Sequence, residues 1–176
     1  VRDLLVHRSG LGLGGGDLLW WPRSTYTADE IVARLRYVPL ATSFRSNYAY
    51  DNVLYLVAGQ LIERVSGLPW HRFVQERILD KVGMAHSVTS YVEALKGGDV
   101  SGTHSVVDGK LQEVKPETGT VTGPAGGIMS NANDMSKWLL VQLAKGKLTD
   151  GSRLFSEERA NDMWSLTTPI RAIGPA

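Results

Sequence analysis

Apolar positions recur most regularly between residues 54 and 65. Leu54, Val57, Ala58, Leu61, Ile62 and Val65 fall at i, i+3, i+4, i+7, i+8 and i+11, the spacing of one helix face. The pattern predicts a helix that begins just after Asn52, turns this stripe inward and stops at Gly67, where a left-handed residue ends the ladder. Pro69 opens another helix with Trp70, Phe73, Val74 and Ile78 pointing inward, running to Val82-Gly83. Upstream, Thr27-Ala-Asp-Glu30 reads as a capping box in which each side chain satisfies one free amide at a helix start, so a helix is expected from Ala28 to about Tyr37. Arg2 to His7 reads as a short helical end. Towards the other terminus, Ser130 or Asn131 caps a helix that carries Asp134 in its first turn, holds Met135, Trp138, Leu139 and Leu143 inside, and ends at Gly146. A last helix starts at Ser156, with Glu157 and Glu158 in the favourable field of its N-terminus, and runs to about Ser165.

One segment departs from helical spacing. Val106-Val107-Asp-Gly109-Lys-Leu111 reads as a hairpin, because Asp-Gly tolerates the positive φ angles of a two-residue turn. The expected class is therefore α+β, mostly helix with one short hairpin. The connections are long: Gly10 to Gly16 holds five glycines in seven positions, and Thr118 to Gly127 is rich in Thr, Gly and Pro. Irregular stretches of this length in a compact domain tend to carry function.

Composition narrows the classes. A chain of 176 residues suits one domain or part of one. Its opening reads like the middle of an element, and Thr167 to Ala176 reads as a Pro/Gly stretch with nothing to pin it. Residues 1–176 are accordingly expected to be the internal part of a single domain, truncated at both ends. A net charge of +1 without charge blocks supplies no basic face for a nucleic acid. The absence of cysteine excludes a disulfide framework, a thiolate nucleophile and Cys-ligated metals. The longest apolar run, Val53 to Ala58, is far short of the roughly 18 residues of a membrane span.

The candidate motifs separate by context. Gly10-Leu-Gly12-Leu-Gly14-Gly15 matches Gly-x-Gly-x-x-Gly in form, but a dinucleotide loop needs a buried strand before it and a long helix after it. Arg2 and Asp3 interrupt the first, and Pro22 cuts off the second. A mobile or tightly turned loop is the expectation. The four histidines, His7, His71, His86 and His104, show no metal-ligand spacing, so no metal and no cofactor is expected. No serine lies in a Gly-x-Ser-x-Gly elbow. Tyr50-Asp51-Asn52 differs in position: it ends an irregular stretch and stands directly before the most regular helix, where a rigid element can hold side chains towards a cleft. The tripeptide alone also permits a packing role, with Tyr48, Tyr50 and Tyr55 at the edge of the core and Asn52 as a helix cap.

Four blocks carry a resemblance to the serine β-lactamase-related hydrolases, a family that includes class C β-lactamases, penicillin-binding-protein-like peptidases and related esterases. They are Val1-Arg-Asp-Leu-Leu-Val-His-Arg-Ser-Gly-Leu11, the run from Phe44 through Tyr50-Asp-Asn52 to Glu63, Arg77-Ile-Leu-Asp-Lys-Val-Gly-Met84, and Gly123-Pro-Ala-Gly-Gly-Ile-Met-Ser-Asn-Ala-Asn-Asp-Met135. The resemblance implies the β-lactamase/transpeptidase-like fold, with this slice mostly its helical subdomain, and acyl transfer through a serine ester. In that family Ser-x-x-Lys, Tyr-x-Asn and Lys-Thr-Gly or His-x-Gly meet in one cleft. Tyr50 matches the general acid/base and Asn52 the group that orients the lysine and a substrate carbonyl. Asp51 is the variable middle residue.

The same resemblance implies that Leu13, Gly126 and Gly127 border the substrate cleft. Glycine near position 126, where class C enzymes carry an aromatic residue, favours an ester or peptide over a β-lactam. The expected partner is thus a small-molecule or peptide acyl substrate, and the expected setting the bacterial periplasm or secretion; oligomeric state stays open. Neither Ser-x-x-Lys nor Lys-[Ser/Thr]-Gly nor His-x-Gly occurs in the chain. The nucleophile is therefore expected outside these residues, and the slice alone is expected to be inactive. A non-catalytic module that binds a peptide or glycan with the same fold is the alternative.

Overall fold

The computed structural model describes residues 1–115, 121 and 123–170. Four helices lead the fold: α1 (Arg2–Leu5), α2 (Ala28–Arg34), α3 (Val53–Ser66) and α4 (Trp70–Val74). They are followed by α5 (Asp80–Val82), α6 (Tyr91–Lys96), the strands β1 (His104–Val107) and β2 (Lys110–Glu113), then α7 (Gly123–Gly126), α8 (Ala132–Leu143) and α9 (Glu157–Trp164). The α+β expectation holds, with one antiparallel hairpin among the described residues.

Helix α3 is the central pillar, touched by α1, α2, α4 and α7. Gly67, at φ 70°, ends it and donates its amide to the Glu63 carbonyl. Its buried residues are Val53, Leu54, Leu56 and Gly59, so burial is concentrated in the first two turns. The expected stripe is correct at Leu54 but not at its far end, where Val65 is 79% exposed. Leu11, Ile31, Val53, Leu54 and Leu56 form the first core cluster, to which α2 contributes the fully buried Ile31. The capping box of α2 is complete: the Thr27 hydroxyl accepts from the Glu30 amide and the Glu30 carboxylate accepts from the Thr27 amide. A single 3-10 turn, Leu35–Tyr37, extends α2 to the expected end.

Beyond Pro69 the expected helix forms as α4 and α5, joined by a wide π turn over Gln75–Leu79 and stopped by Gly83 at φ 77°. Val74, Leu79 and Met84 make the second core cluster, with Trp70, Ile78, Val82 and Trp138 packed against it. In the hairpin, Val107 pairs with Lys110, and Asp108 and Gly109 take φ of 50° and 74°. Both strands are exposed throughout.

Helix α8 forms where expected, with the Asn131 side chain accepting from the Asp134 amide at 2.9 Å, but with another face inward. Asp134 and Val141 are buried, whereas Met135, Leu139 and Leu143, expected inside, are exposed, Leu143 at 80%. Polar contacts set this rotation. The fully buried Asp134 accepts from the His86 amide (2.8 Å), the Ser87 hydroxyl (2.9 Å) and the Lys137 ammonium (2.9 Å). Lys137 first, then Ser87 and His86, hold its carboxyl below the usual range.

Ser156 caps α9 through the Arg159 amide. Helices α6 and α7 were not anticipated, although Ser90 and Glu93 at the start of α6 carry a readable cap: the Ser90 hydroxyl accepts from the Glu93 amide. The expectation that the chain beyond Thr167 is unpinned is corrected for its first residues. Arg8 donates to the Thr167 carbonyl at 2.6 Å, and the Thr168 hydroxyl donates to the Val6 carbonyl at 2.7 Å. Arg171 to Ala176, and residues 118–120 and 122 of the Thr/Gly/Pro-rich stretch, lie outside the described residues.

Candidate active site

Tyr50, Asp51 and Asn52 lead into α3, and a short segment from the start of the chain holds them. The ring of Tyr50 lies 4.5 Å from that of His7, tilted by 32°, and His7 also meets Tyr48 and Tyr55 at 5.8 and 5.6 Å. The Asp51 amide donates to His7 Nδ1 at 3.2 Å, which leaves the imidazole proton on Nε2 in the neutral ring. Burial favours that neutral form by lowering the His7 pKa. Further bonds fasten the segment: the Ala49 amide to the His7 carbonyl (3.0 Å), the Arg45 amide to the Arg8 carbonyl (2.9 Å) and the Tyr55 hydroxyl to the Leu5 carbonyl (2.9 Å). Tyr50 itself remains 43% exposed. Tyr55, one turn below, titrates above the ordinary tyrosine value, chiefly through burial and secondarily through Tyr50.

Asn52 is not a side-chain cap of α3. Its Nδ2 donates instead to Asp17 Oδ2 at 3.0 Å. Asp17 stands at the end of the glycine-dense loop, which is packed and tightly turned. The Gly14 amide donates to the Tyr50 carbonyl at 2.8 Å, and the Gly15 amide to the Gly12 carbonyl at 2.7 Å. Gly16, at φ 92°, lies so close to α3 that a Cβ would meet Leu35 Cδ2 at 2.9 Å and Val53 Cγ1 at 3.1 Å. The loop therefore needs glycine for backbone conformation and for close approach. Leu13 projects from it at 80% exposure, next to the Gly14 amide that binds Tyr50. Leu13, Tyr50 and Asn52 are thus brought together.

Asp51, read from sequence only as a variable middle residue, is fully buried. Its Oδ2 accepts from the Ser9 hydroxyl at 3.2 Å, and its Oδ1 has no partner among the described residues. Its pKa is pushed up to about 6 by burial; the Ser9 hydroxyl opposes the shift, and Asp17 adds to it.

Gly126 and Gly127 line a different feature, a cavity of about 430 Å³ bordered also by Gln60, Glu63, Trp70 and Ser90. Neither Leu13, Tyr50 nor Asn52 lines it. Leu56 does, one turn or about 6 Å along α3 from Asn52. Trp70 forms part of its wall, with its amide bound to Glu63 Oε1 at 3.0 Å and its ring under Gly123. A Cβ on Gly126 would meet nothing, whereas one on Gly127 would meet Gly123 Cα at 2.7 Å. Gly127 is needed for packing and Gly126 leaves open space.

The cation nearest Tyr50 in sequence, Arg45, is committed elsewhere. It makes two 2.8 Å bonds to the Asp3 carboxylate and stacks on Phe44; the pair holds Asp3 below and Arg45 above their ordinary values. Among the described residues no three His, Asp or Glu side chains group as metal ligands, and no helix is long and apolar enough to cross a membrane.

Tyr50, partly exposed, and Asn52, bonded to Asp17, stand directly before α3, and the chain as a whole matches a known family. The Beta-lactamase family profile matches residues 1–171, and the chain belongs to that family. An unguisins hydrolase of Aspergillus violaceofuscus is 30% identical over 79% of the chain and 26% of its own length. The octameric penicillin-binding protein homologue from Pyrococcus abyssi superposes with a TM-score of 0.74 at 22% identity, covering 98% of this chain and 40% of that one. The D-amino acid amidase from Ochrobactrum anthropi gives 0.70 at 22% identity, over 90% and 45%. The fold is β-lactamase/transpeptidase-like, its relatives include hydrolases, and the chain spans about a quarter to just under half of these proteins.

Proposed function

We propose that these residues form the middle of a serine hydrolase domain whose intact form cleaves an amide or ester through an acyl-enzyme. Tyr50 is its general acid/base, and Asn52 orients a lysine and the substrate carbonyl. The Ser-x-x-Lys nucleophile lies outside the 176 residues. In this reading the serine attacks a carbonyl, Tyr50 and the lysine carry its proton to the leaving group, and water then releases the acyl group. The observation that carries the reading is the joint placement of Tyr50 and Asn52 beside the glycine loop, with Tyr50 partly open to solvent.

Energetics set the need for the rest of the domain. A free tyrosine is ionised to about one part in a thousand at neutral pH, and matching it to that pH requires about 4 kcal/mol of anion stabilisation. Arg45 is bound to Asp3, and in this reading the cations come from the lysine of the nucleophile's motif and from the third motif. The experiment is labelling of the full-length protein with a fluorescent penicillin, together with turnover of a p-nitrophenyl ester. Covalent label or turnover supports the hydrolase. Ligand retention with neither supports the alternative, a peptide- or glycan-binding module.

A further inference from the structure

The resemblance places Leu13 of the glycine loop at the border of the substrate cleft and assigns no role to Asp17 at the loop's end, yet this loop is bonded to the residues that carry Tyr50 and Asn52. Gly14 bonds the Tyr50 carbonyl, and Gly16 lies against Val53, the first residue of α3. Asp17 then opens a 3-10 turn, Asp17–Leu19, with its own amide bound to the Gly14 carbonyl at 2.9 Å. The turn faces the carboxylate towards Asn52, whose Nδ2 donates to it at 3.0 Å. A carboxamide can present either edge, and only its surroundings decide which. A carboxylate accepts and does not donate, so it selects the NH₂ edge of the amide.

We propose that Asp17 is the positioning residue for Asn52: delivered by the glycine loop, it fixes the carboxamide so that Oδ1 and one remaining N–H face the cleft. This inference rests on the reading of Asn52 as a substrate- and lysine-orienting group. Oδ1 is then free to accept from a lysine ammonium, and the second N–H to donate to a substrate carbonyl. Without Asp17 the amide rotates or flips, and both contacts are offered in the wrong sense part of the time. The loop's glycines follow from the same task, since a side chain at Gly16 would push the turn off Val53 and carry Asp17 away.

The test is a double-mutant cycle in the full-length protein, with Asp17→Ala and Asn52→Ala alone and together, and Asp17→Asn as a variant of equal volume. Asp17→Ala is expected to lower kcat about tenfold, equivalent to about 1.4 kcal/mol, with KM changed less. In the Asn52→Ala background the same substitution is expected to change kcat less than about twofold, because its effect passes through Asn52. Equal losses in both backgrounds, or no loss in a folded Asp17→Ala protein, overturn the inference; Asp17→Asn, whose amide oxygen can still accept from Asn52, is expected to lose less than Asp17→Ala. A second readout is independent of turnover: the NMR signals of the Asn52 side-chain NH₂, identified by their disappearance in Asn52→Ala. They should move to free-carboxamide positions and exchange faster in Asp17→Ala. Unmoved signals overturn the inference even if the enzyme reading stands. Moved signals in a protein without hydrolytic activity sustain the contact and overturn the enzyme reading instead.

Discussion

Replacing Asp51 by asparagine tests the electrostatics beneath the candidate site. Asp51 is fully buried, bonded through one oxygen to Ser9 and, among the described residues, unpartnered at the other. Its pKa rises from 3.8 in the open chain to about 6 in the fold, mainly by burial. Between those values the folded protein binds more protons than the unfolded one, so the contribution of Asp51 to stability falls as pH rises through that window. A difference of about two units at about 1.4 kcal/mol each amounts to about 3 kcal/mol, fully expressed well above pH 6 and nearly absent by about pH 4. Asparagine keeps the shape and the Ser9 contact without the charge. In urea unfolding of the full-length protein, Asp51→Asn should therefore gain about 2 to 3 kcal/mol over the parent at about pH 8, and the gain should shrink to below about 1 kcal/mol at about pH 4. The comparison cancels titrations common to both proteins. A difference that stays constant with pH, or a loss of stability at pH 8, would refute the reasoning.

Substitutions at three other positions probe the packing. Asp134→Ala strips the acceptor from the His86 amide, the Ser87 hydroxyl and Lys137, and should cost about 3 to 4 kcal/mol in urea unfolding at neutral pH. Because the Asp134 pKa is lowered from 3.8, that contribution is complete above the unfolded value and is lost as pH falls through the folded one, so parent and Asp134→Asn should converge in acid. Gly59→Ala would gain about 1 kcal/mol from helix propensity in an open helix. Here the new Cβ lands on the Pro124 ring, and the melting temperature should fall instead, by the equivalent of about 1 to 3 kcal/mol. Gly126→Ala, whose Cβ meets nothing, should leave the melting temperature within a degree or two, and a large drop would contradict the open space assigned to it.

What could be read from sequence was the local part of the fold. Thr27 and Glu30 make their capping box, Gly67 and Gly83 their left-handed stops, and Asp108-Gly109 its hairpin turn, because each depends on residues a few positions apart. The rotation of α8 was not legible, since it is set by Asp134 reaching His86 and Ser87 in a distant segment; the apolar residues Leu139 and Leu143 point the other way. The far end of α3 was misread for a related reason: its periodicity continues past the neighbours that bury Leu54 and Leu56. At the candidate site, Tyr50 and Asn52 could be singled out by their place before the most regular helix together with the family resemblance. Asp51 and Asp17 could not be ranked, because a buried carboxyl and a contact spanning 35 positions leave no periodic trace. The glycine loop could be read only as mobile or tightly turned, and what Gly14 and Gly16 touch decides for the tight turn.

The central claim is that the Tyr50 hydroxyl handles the proton in acyl transfer. It is tested most directly by kcat/KM of the full-length protein and its Tyr50→Phe variant on a p-nitrophenyl ester, with melting temperature as the control for folding. The account predicts a fall of about 100-fold or more at unchanged melting temperature. Equal kcat/KM in the two proteins would contradict it.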